Sequence, residues 1–494
     1  MAETRLKGAE REFFTTLDRI AYANPFSDQR ARLIQQLVPA ATIEDLAGDR
    51  EALARLVEPR LHPFSDAAAL NRLDAADQRL VESAFLYVCY HRHVPPIDEL
   101  IERQAAHGDA PSVDRVARSV IGELVGRGLG EESAARHFAL FFQLRRAFHF
   151  IVRSLAGECE SMRTLRRALW SNIFTDDMRA YRAGLWNRME DFSTLLLGET
   201  GTGKGLAAAA IGRSEFIPFL ADKRRFAANF TDSFIAINLS QFSEALIESE
   251  LFGHRKGAFT GAIEHHEGVF ERCSAHGALF LDEIGEVSVP VQIKLLQILQ
   301  ERSFNPVGSH ERRRFAGRVI AATNRPLDEL RAAGRFRDDF YYRLCSDVIR
   351  VPPLRQRIRE SPGELEEMVR LLVARIAGEP SPALAAIAME AIERDLPRDY
   401  RWPGNVRELE QAVRRILLTG RYAGDRDVAG SDENEGFVQR VRAGTLGAEE
   451  LLGEYCTLLY KQHGTYEEVA RRTRLDRRTA KKYVLATPVD KPSP

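Results

Sequence analysis

The stretch Phe192-Ser-Thr-Leu-Leu-Leu-Gly-Glu-Thr-Gly-Thr-Gly-Lys-Gly205 decides how the rest of the chain is read. Its leucines form an apolar run that suits a buried strand, and glycines follow at once at 198, 201 and 203. With no Cβ in the way, backbone N–H groups of such a turn can converge on an anion. The Ala-rich residues 206–211 would open a helix whose positive end faces the same point. Gly198, Glu199, Thr200, Gly201, Thr202, Gly203, Lys204 and Gly205 therefore read as a phosphate-binding loop, with Lys204 reaching the β and γ phosphates of a nucleotide. One position departs from the motif. A Ser or Thr hydroxyl that meets Mg²⁺ normally stands last, and here the residue is Gly205. Nucleotide binding follows from the loop, while hydrolysis stays open at this point.

Further along, Phe234-Ile-Ala-Ile-Asn238 reads as a short strand, and Gly277-Ala-Leu-Phe-Leu-Asp-Glu283 as another. Four apolar residues followed by two carboxylates suit a buried parallel strand presenting acids at its carboxyl end, where α/β folds place their ligands. Asp282 would hold Mg²⁺ directly or through water, and Glu283, beside the same ion, would polarise the attacking water as general base. A third strand, Arg318-Val-Ile-Ala-Ala-Thr-Asn324, could bring Asn324 near the γ phosphate.

The 494 residues are 44% hydrophobic and 29% charged, as in an ordinary soluble protein of about three domains. The formal net charge of −1 excludes a polycation, so nucleic-acid contact must come from a local basic patch. Five scattered cysteines give neither a disulfide framework nor a zinc knuckle, and no apolar run approaches the ~20 residues that span a bilayer. A cytoplasmic protein with no membrane partner is expected.

Residues 1–155 carry apolar side chains at three-to-four spacing, as in Val81, Phe85 and Val88, which predicts packed helices. The aromatic band Phe138, Phe141, Phe142, Phe148 and Phe150 reads as core rather than as a ligand pocket. Cys89-Tyr-His-Arg-His93 invites a metal reading. His91 and His93 point to different sides of a helix, however, so surface or capping histidines are expected instead.

Glu248-Ser-Glu-Leu-Phe-Gly-His-Arg-Lys-Gly-Ala-Phe-Thr-Gly-Ala262 resembles the signature loop of the AAA+ activators of sigma-54 RNA polymerase, the bacterial enhancer-binding proteins. The resemblance covers about residues 156–485. It implies that Gly257, Ala258, Phe259, Thr260, Gly261 and Ala262 engage sigma-54, with Phe259 and Thr260 making the contact. Glycines at both ends let such a loop swing, and one exposed aromatic supplies contact area at small entropic cost. By the same resemblance Gly334-Arg-Phe-Arg-Asp-Asp-Phe-Tyr-Tyr-Arg-Leu344 supplies two arginine fingers to a neighbouring subunit, Arg337 and Arg343. Asn238 corresponds to the residue that restrains the catalytic glutamate. The family usually has Glu at the position of Gly205 and so already does without the hydroxyl.

Val351-Pro-Pro-Leu-Arg-Gln-Arg357 is similar to the family's entry into a helical lid, and Arg401-Trp-Pro-Gly-Asn-Val-Arg-Glu-Leu-Glu410 to its second sensor motif. Asn405 reads as an N-cap, with Arg407 pointing back at the phosphates. Residues 421–445 are polar and glycine-bearing, as in a linker. Beyond them Thr465-Tyr-Glu-Glu468 reads as a capping box and Asp476-Arg-Arg-Thr479 as a further cap. These two short helices resemble a Fis-type helix-turn-helix in which Arg477, Arg478, Thr479, Lys481 and Lys482 meet DNA.

The expected fold is an α/β AAA+ P-loop ATPase core (156–350) with a helical lid (351–420). A mainly α regulatory domain (1–155), without the acidic pocket of a receiver, precedes it. A linker (421–445) and an α-helical helix-turn-helix domain (446–494) follow. The expected function is a sigma-54-dependent activator that uses ATP and Mg²⁺, binds double-stranded DNA upstream and self-associates into a ring, hexameric by family analogy, to remodel the sigma-54 RNA polymerase holoenzyme. The alternative is a DNA-binding repressor or scaffold that binds nucleotide without turning it over, which Gly205 keeps open.

Overall fold

The computed structural model describes residues 5–39, 48–64, 67–108, 112–424, 437, 440–441 and 444–486. Most of the stretch read as a linker, 425–436, lies outside them. The chain forms two compact units, 1–385 with 404–413, and 386–403 with 414–494.

The first unit is built on a five-stranded sheet. Its strands are β1 (Thr194–Leu197), β2 (Phe234–Asn238), β3 (Ala278–Asp282), β4 (Arg318–Thr323) and β5 (Asp347–Arg350). Their order is β2-β3-β4-β1-β5, and every pairing is parallel. The central strands are continuous apolar runs because both sheet faces are covered. Leu195, Leu279, Leu281, Val319 and Ala321 point into one core, and Leu196, Phe280, Ile320, Ala322 and Ile349 into the other.

The front end is helical: α1 (Gly8–Tyr22), α2 (Asp28–Leu37), α3 (Gly48–Leu61), α4 (Ala75–Arg92), α5 (Val94–His107), α6 (Asp114–Gly126), α7 (Glu131–Ser154) and α8 (Glu160–Phe174). Helices α1 to α4 close around Phe14, Leu17, Leu33, Leu53, Val57 and Val81. The second core runs without a break from Ile97, Val120 and Phe138, through Leu165 and Phe174, to the sheet residues Leu196 and Ile320. Buried contacts therefore cross residue 155 freely.

Helix α7 is the main joint. Phe138 and Phe142 pack on Phe226 of a small hairpin, with ring centroids 5.5 and 4.4 Å apart. On the same helix Arg146, 1% exposed, donates to the carbonyls of Arg213 and Glu215 at 2.8 Å. Gln143 donates to the Ser214 carbonyl at 2.8 Å and to the Tyr181 hydroxyl at 2.7 Å. These three carbonyls follow the end of α9 (Lys204–Gly212), the helix that leaves the glycine-rich turn. Carbonyls there have no intrahelical donor, so side-chain donors satisfy them, and a guanidinium also suits the negative end of the helix dipole.

His93 is buried rather than on the surface, and it stands at the C-cap of α4. It is 6% exposed at the α4–α5 junction, its Nδ1 2.9 Å from the Cys89 carbonyl and its Nε2 3.1 Å from Ser119 Oγ. Cys89, His93 and Glu123 do come together as a potential ligand group, which spacing within one helix could not reveal because Glu123 arrives from α6. All five cysteines are free. Among the described residues no helix is long and apolar enough to cross a membrane.

In the second unit, Tyr400 meets Trp402 edge to face at a centroid separation of 5.2 Å, and Trp402 lies parallel to Tyr422 at 6.4 Å. Three further helices, α17 (Ala448–His463), α18 (Tyr466–Thr473) and α19 (Arg477–Ala486), pack around Cys456, Leu459, Val469, Ala480 and Val484. Helices α10 to α16, in chain order between α9 and α17, are Glu244–Phe252, Val289–Glu301, Asp338–Leu344, Leu354–Glu360, Glu364–Ala377, Pro382–Asp395 and Asn405–Thr419.

Candidate nucleotide site

The glycine-rich turn follows β1 directly and enters α9 at Lys204. Gly201 (φ 79°) and Gly203 (φ 102°) take left-handed conformations that cost an L residue about 1–2 kcal/mol. Gly201 is also held by space, since a Cβ there would lie 2.2 Å from the Gly404 carbonyl oxygen. Thr202 Oγ1 donates to the Glu199 carbonyl at 2.9 Å. Lys204, 7% exposed, donates to the Gly198 and Glu199 carbonyls at 2.9 and 3.1 Å. Burial pushes its pKa down, against the opposing pull of Glu283 and Asp282. Gly205 has a Cβ direction that meets only Phe280 Cε1 at 3.9 Å, so this glycine is not required by packing.

Strand β3 brings its carboxylates to the same end of the sheet. Asp282 Oδ1 accepts from the Glu283 N–H at 3.0 Å. Glu283 sits in the left-handed region (φ 56°, ψ 46°), and its Oε2 is buried with no hydrogen-bond partner among the described residues. From β4, Asn324 donates to Thr200 Oγ1 at 2.8 Å. Asn238 is aligned with Asp282 across β2 and β3. Its Oδ1, however, accepts from the Ser240 N–H and hydroxyl at 3.0 and 2.7 Å, and no hydrogen bond joins it to Glu283.

The start of α16 closes over the turn. The Val406 N–H donates to the Gly201 carbonyl at 3.1 Å, and Arg407 lies against Gly201 and contributes to the field at Lys204. Asn405 opens α16. Fully buried and at φ 54°, it donates to the Thr200 carbonyl at 3.0 Å and to Glu199 Oε2 at 3.2 Å, while its Oδ1 accepts from the Leu354 N–H at 2.8 Å. Glu199 also pairs with Arg355 (Nη1 to Oε2 2.6 Å), which holds its carboxyl below the ordinary range. The sequence alone gives Arg355 no role and Asn405 only that of a cap. The available signal was Glu199 itself, an acid inside an anion-binding turn, which needs a cation.

Arg337 and Arg343 lie apart from this cluster. Arg337 pairs with Asp339 at 2.6 Å, and Arg343 donates to the Leu299 carbonyl at 2.7 and 3.0 Å. Among the described residues no hydrogen bond or ion pair joins either arginine to the turn at 198–205 of the same chain.

Residues 257–262 form a separate loop between α10 and the short helix Val269–Arg272. The Gly257 N–H donates to the Ala262 carbonyl at 2.8 Å, and Gly257 and Gly261 have φ of 81° and 104°. Phe259 is 38% exposed, with only the edge of His254 against its ring at 4.9 Å. Thr260 is exposed, and Ala258 rests on Gly308.

At the C-terminal end, Asp476 caps α19 as expected, accepting from the N–H groups of Arg478 and Thr479 at 3.0 Å. Thr465 makes no side-chain cap, so the expected box is not formed: Glu468 is engaged by Arg471 and Arg472 at 2.6 and 2.9 Å. Arg477, Arg478, Lys481 and Lys482 are exposed along α19, and Thr479 is half-buried.

The family model described as the Sigma-54 interaction domain matches residues 179–350. The transcriptional regulatory protein ZraR of Klebsiella oxytoca is 38% identical over 304 residues, 58% of this chain and 62% of that protein. The Nif-specific regulatory protein of Azotobacter vinelandii is 43% identical over 237 residues, 48% of this chain and 41% of that protein. The chain thus spans less than two thirds of both. The sigma54-dependent transcriptional activator SfnR of Pseudomonas putida is 38% identical over 288 residues, 56% of this chain and 71% of that protein. With the glycine-rich turn, the paired carboxylates and the 257–262 loop in place on one parallel sheet, this chain belongs to the family of sigma-54-dependent transcriptional activators.

Proposed function

We propose that the protein is a DNA-bound ATPase of the AAA+ class that couples ATP hydrolysis to remodelling of the sigma-54 RNA polymerase closed complex. The observation that carries the reading is Glu283, whose unpartnered buried Oε2 stands beside Asp282 at the sheet end that also bears Lys204 and Asn324. A buried carboxylate oxygen without a donor is costly, and such groups gather where a reaction uses them. The turn fits a nucleotide: Gly201 and Gly203 hold it in left-handed conformations, and Lys204 is held against its carbonyls. Glu283 acts as general base toward water, Lys204 and Asn324 hold the phosphate end, and Arg407 senses it from α16. Asp282 would hold Mg²⁺, which when bound neutralises phosphate charge.

Arg337 and Arg343, unconnected to their own turn, serve a neighbouring subunit, and the active form is accordingly a ring. A trans arginine is worth roughly 10³–10⁵ in rate in NTPases. Asn238, one strand from Glu283, restrains it until the target is engaged. The 257–262 loop meets sigma-54 through Phe259 and Thr260, and α19 meets DNA, with Arg477 and Arg478 toward base edges and Lys481 and Lys482 toward phosphates. Residues 1–155 regulate, 156–350 and 351–420 form the ATPase and its lid, and 446–494 bind DNA in the cytoplasm.

The test is ATP turnover by the concentrated protein against Glu283→Gln. Turnover no greater than that of the variant would leave a nucleotide-binding scaffold. Thr260→Ala should keep turnover and lose activation of a sigma-54 promoter in vitro, and removal of 445–494 should abolish the upstream footprint.

A further inference from the structure

Where α1, α2, α4, α7 and α8 converge, the front end encloses a cavity of about 120 Å³. Its wall is mainly apolar and aromatic, and Leu86, Leu140, Phe141, Leu144, Phe148 and Trp170 are among the residues that line it. The aromatic band of α7 thus divides: Phe138, Phe142 and Phe150 go to the core, and Phe141 and Phe148 face the cavity. The volume is close to that of an engineered apolar cavity of about 150 Å³ that takes up benzene, so one ring is the right size of occupant.

The charges lining this cavity are lopsided. Among the described residues no aspartate or glutamate lines it, whereas Arg30, Arg145 and Arg182 all do. Arg145 is neutralised from outside by Asp98 at 2.6 Å, and Arg182 is exposed and donates to the Tyr22 hydroxyl. Arg30 differs from both. It is 8% exposed and lines the cavity, and among the described residues no hydrogen bond or ion pair engages its guanidinium. Its nitrogens are not among the sealed, unpartnered atoms and so meet water, which a carboxylate can replace with a bidentate, charge-assisted fork.

We infer that this cavity is a binding site for a small monocyclic aromatic carboxylate, its ring among Phe141, Phe148 and Trp170 and its carboxylate on Arg30. The site is independent of the nucleotide site and of the reading given above for it. A ring carrying no charge leaves Arg30 unpaired, and an anion without a ring leaves the apolar wall unfilled. Specificity therefore requires both parts.

Isothermal titration of the full-length protein with benzoate, benzyl alcohol and acetate tests the inference. Benzoate should bind with a Kd below about 1 mM, and the other two at least tenfold more weakly, as one charged pair and one buried ring are each worth more than a factor of ten. Arg30→Met, of similar length and apolar, should lose at least tenfold for benzoate while keeping the wild-type circular dichroism. Equal binding of benzoate and benzyl alcohol, no binding of benzoate, or undiminished binding by a folded Arg30→Met would each overturn the assignment. Should Arg30→Met not fold, the three-ligand comparison on the wild-type protein decides alone.

Discussion

Replacing Asn405 tests how firmly the start of α16 is fastened to the glycine-rich turn. In Asn405→Gly three hydrogen bonds go at once: to the Thr200 carbonyl, to Glu199 Oε2 and from the Leu354 N–H. At about 0.5–1.5 kcal/mol each, with the bond to the half-exposed Glu199 counted at the same rate, the loss is about 2–4 kcal/mol. The backbone stays relaxed, because glycine accepts φ 54°. Asn405→Ala loses the same bonds and adds about 1 kcal/mol for a Cβ in the left-handed region. Asn405→Asp keeps the acceptor for Leu354 but sets a carboxylate beside Glu199, and should fall below Asn405→Gly at neutral pH. Hydrogen exchange at the Leu354 amide reads the effect directly. Protection should drop about 30- to 1,000-fold in Asn405→Gly, as each 1.4 kcal/mol is tenfold, and about fivefold further in Asn405→Ala. Unchanged Leu354 protection in Asn405→Gly would refute the fastening.

Gly205→Ala should raise stability by about 0.5–1 kcal/mol, seen as a higher urea midpoint, because the glycine is helical, exposed and open at its Cβ. Arg318, 1% exposed, donates to Phe192, Asn172, Thr194 and Glu215, so Arg318→Met should cost about 3–5 kcal/mol by stranding the buried Glu215, and adding Glu215→Gln should recover part of it in the same denaturation assay. Burial, with Arg182 and Arg136 nearby, pushes His137 down to about 4 from 6.5, so its contribution is complete above pH 6.5 and lost as pH falls toward 4. About 2 kcal/mol should be gone by pH 5, and His137→Gln should flatten that slope in urea titrations at pH 7 and 5.

The sheet was legible because its strands are written locally. The apolar runs at 194–197, 278–282 and 318–323 need no partner to be recognised, and glycines 201 and 203 announce their own backbone. Asn405 misled in part, because an Asn at the start of a helix announces only a cap, whereas here its side chain also reaches a turn two hundred residues earlier. Thr465 misled likewise: Glu468 has two arginines within reach, and charge-assisted pairs outcompete a backbone N–H for its oxygens. The division of the α7 aromatics is not legible at all from spacing, since Phe138 and Phe141 are both on buried faces and differ only in which neighbour arrives opposite.

Helix α7 bears on how members with this front end are taken apart and recombined. Its Arg146 and Gln143 supply the donors for Arg213, Ser214 and Glu215, and its Phe138 and Phe142 pack on Phe226 of the hairpin. Cutting the chain near residue 155 would therefore strip three carbonyls and a hydrophobic surface from the remaining engine. A truncated chain that behaves differently would report a wound as much as a released brake. A chimaera that keeps residues 131–174 and exchanges only what precedes them leaves the engine's casing whole, and that is the join at which inputs can be swapped.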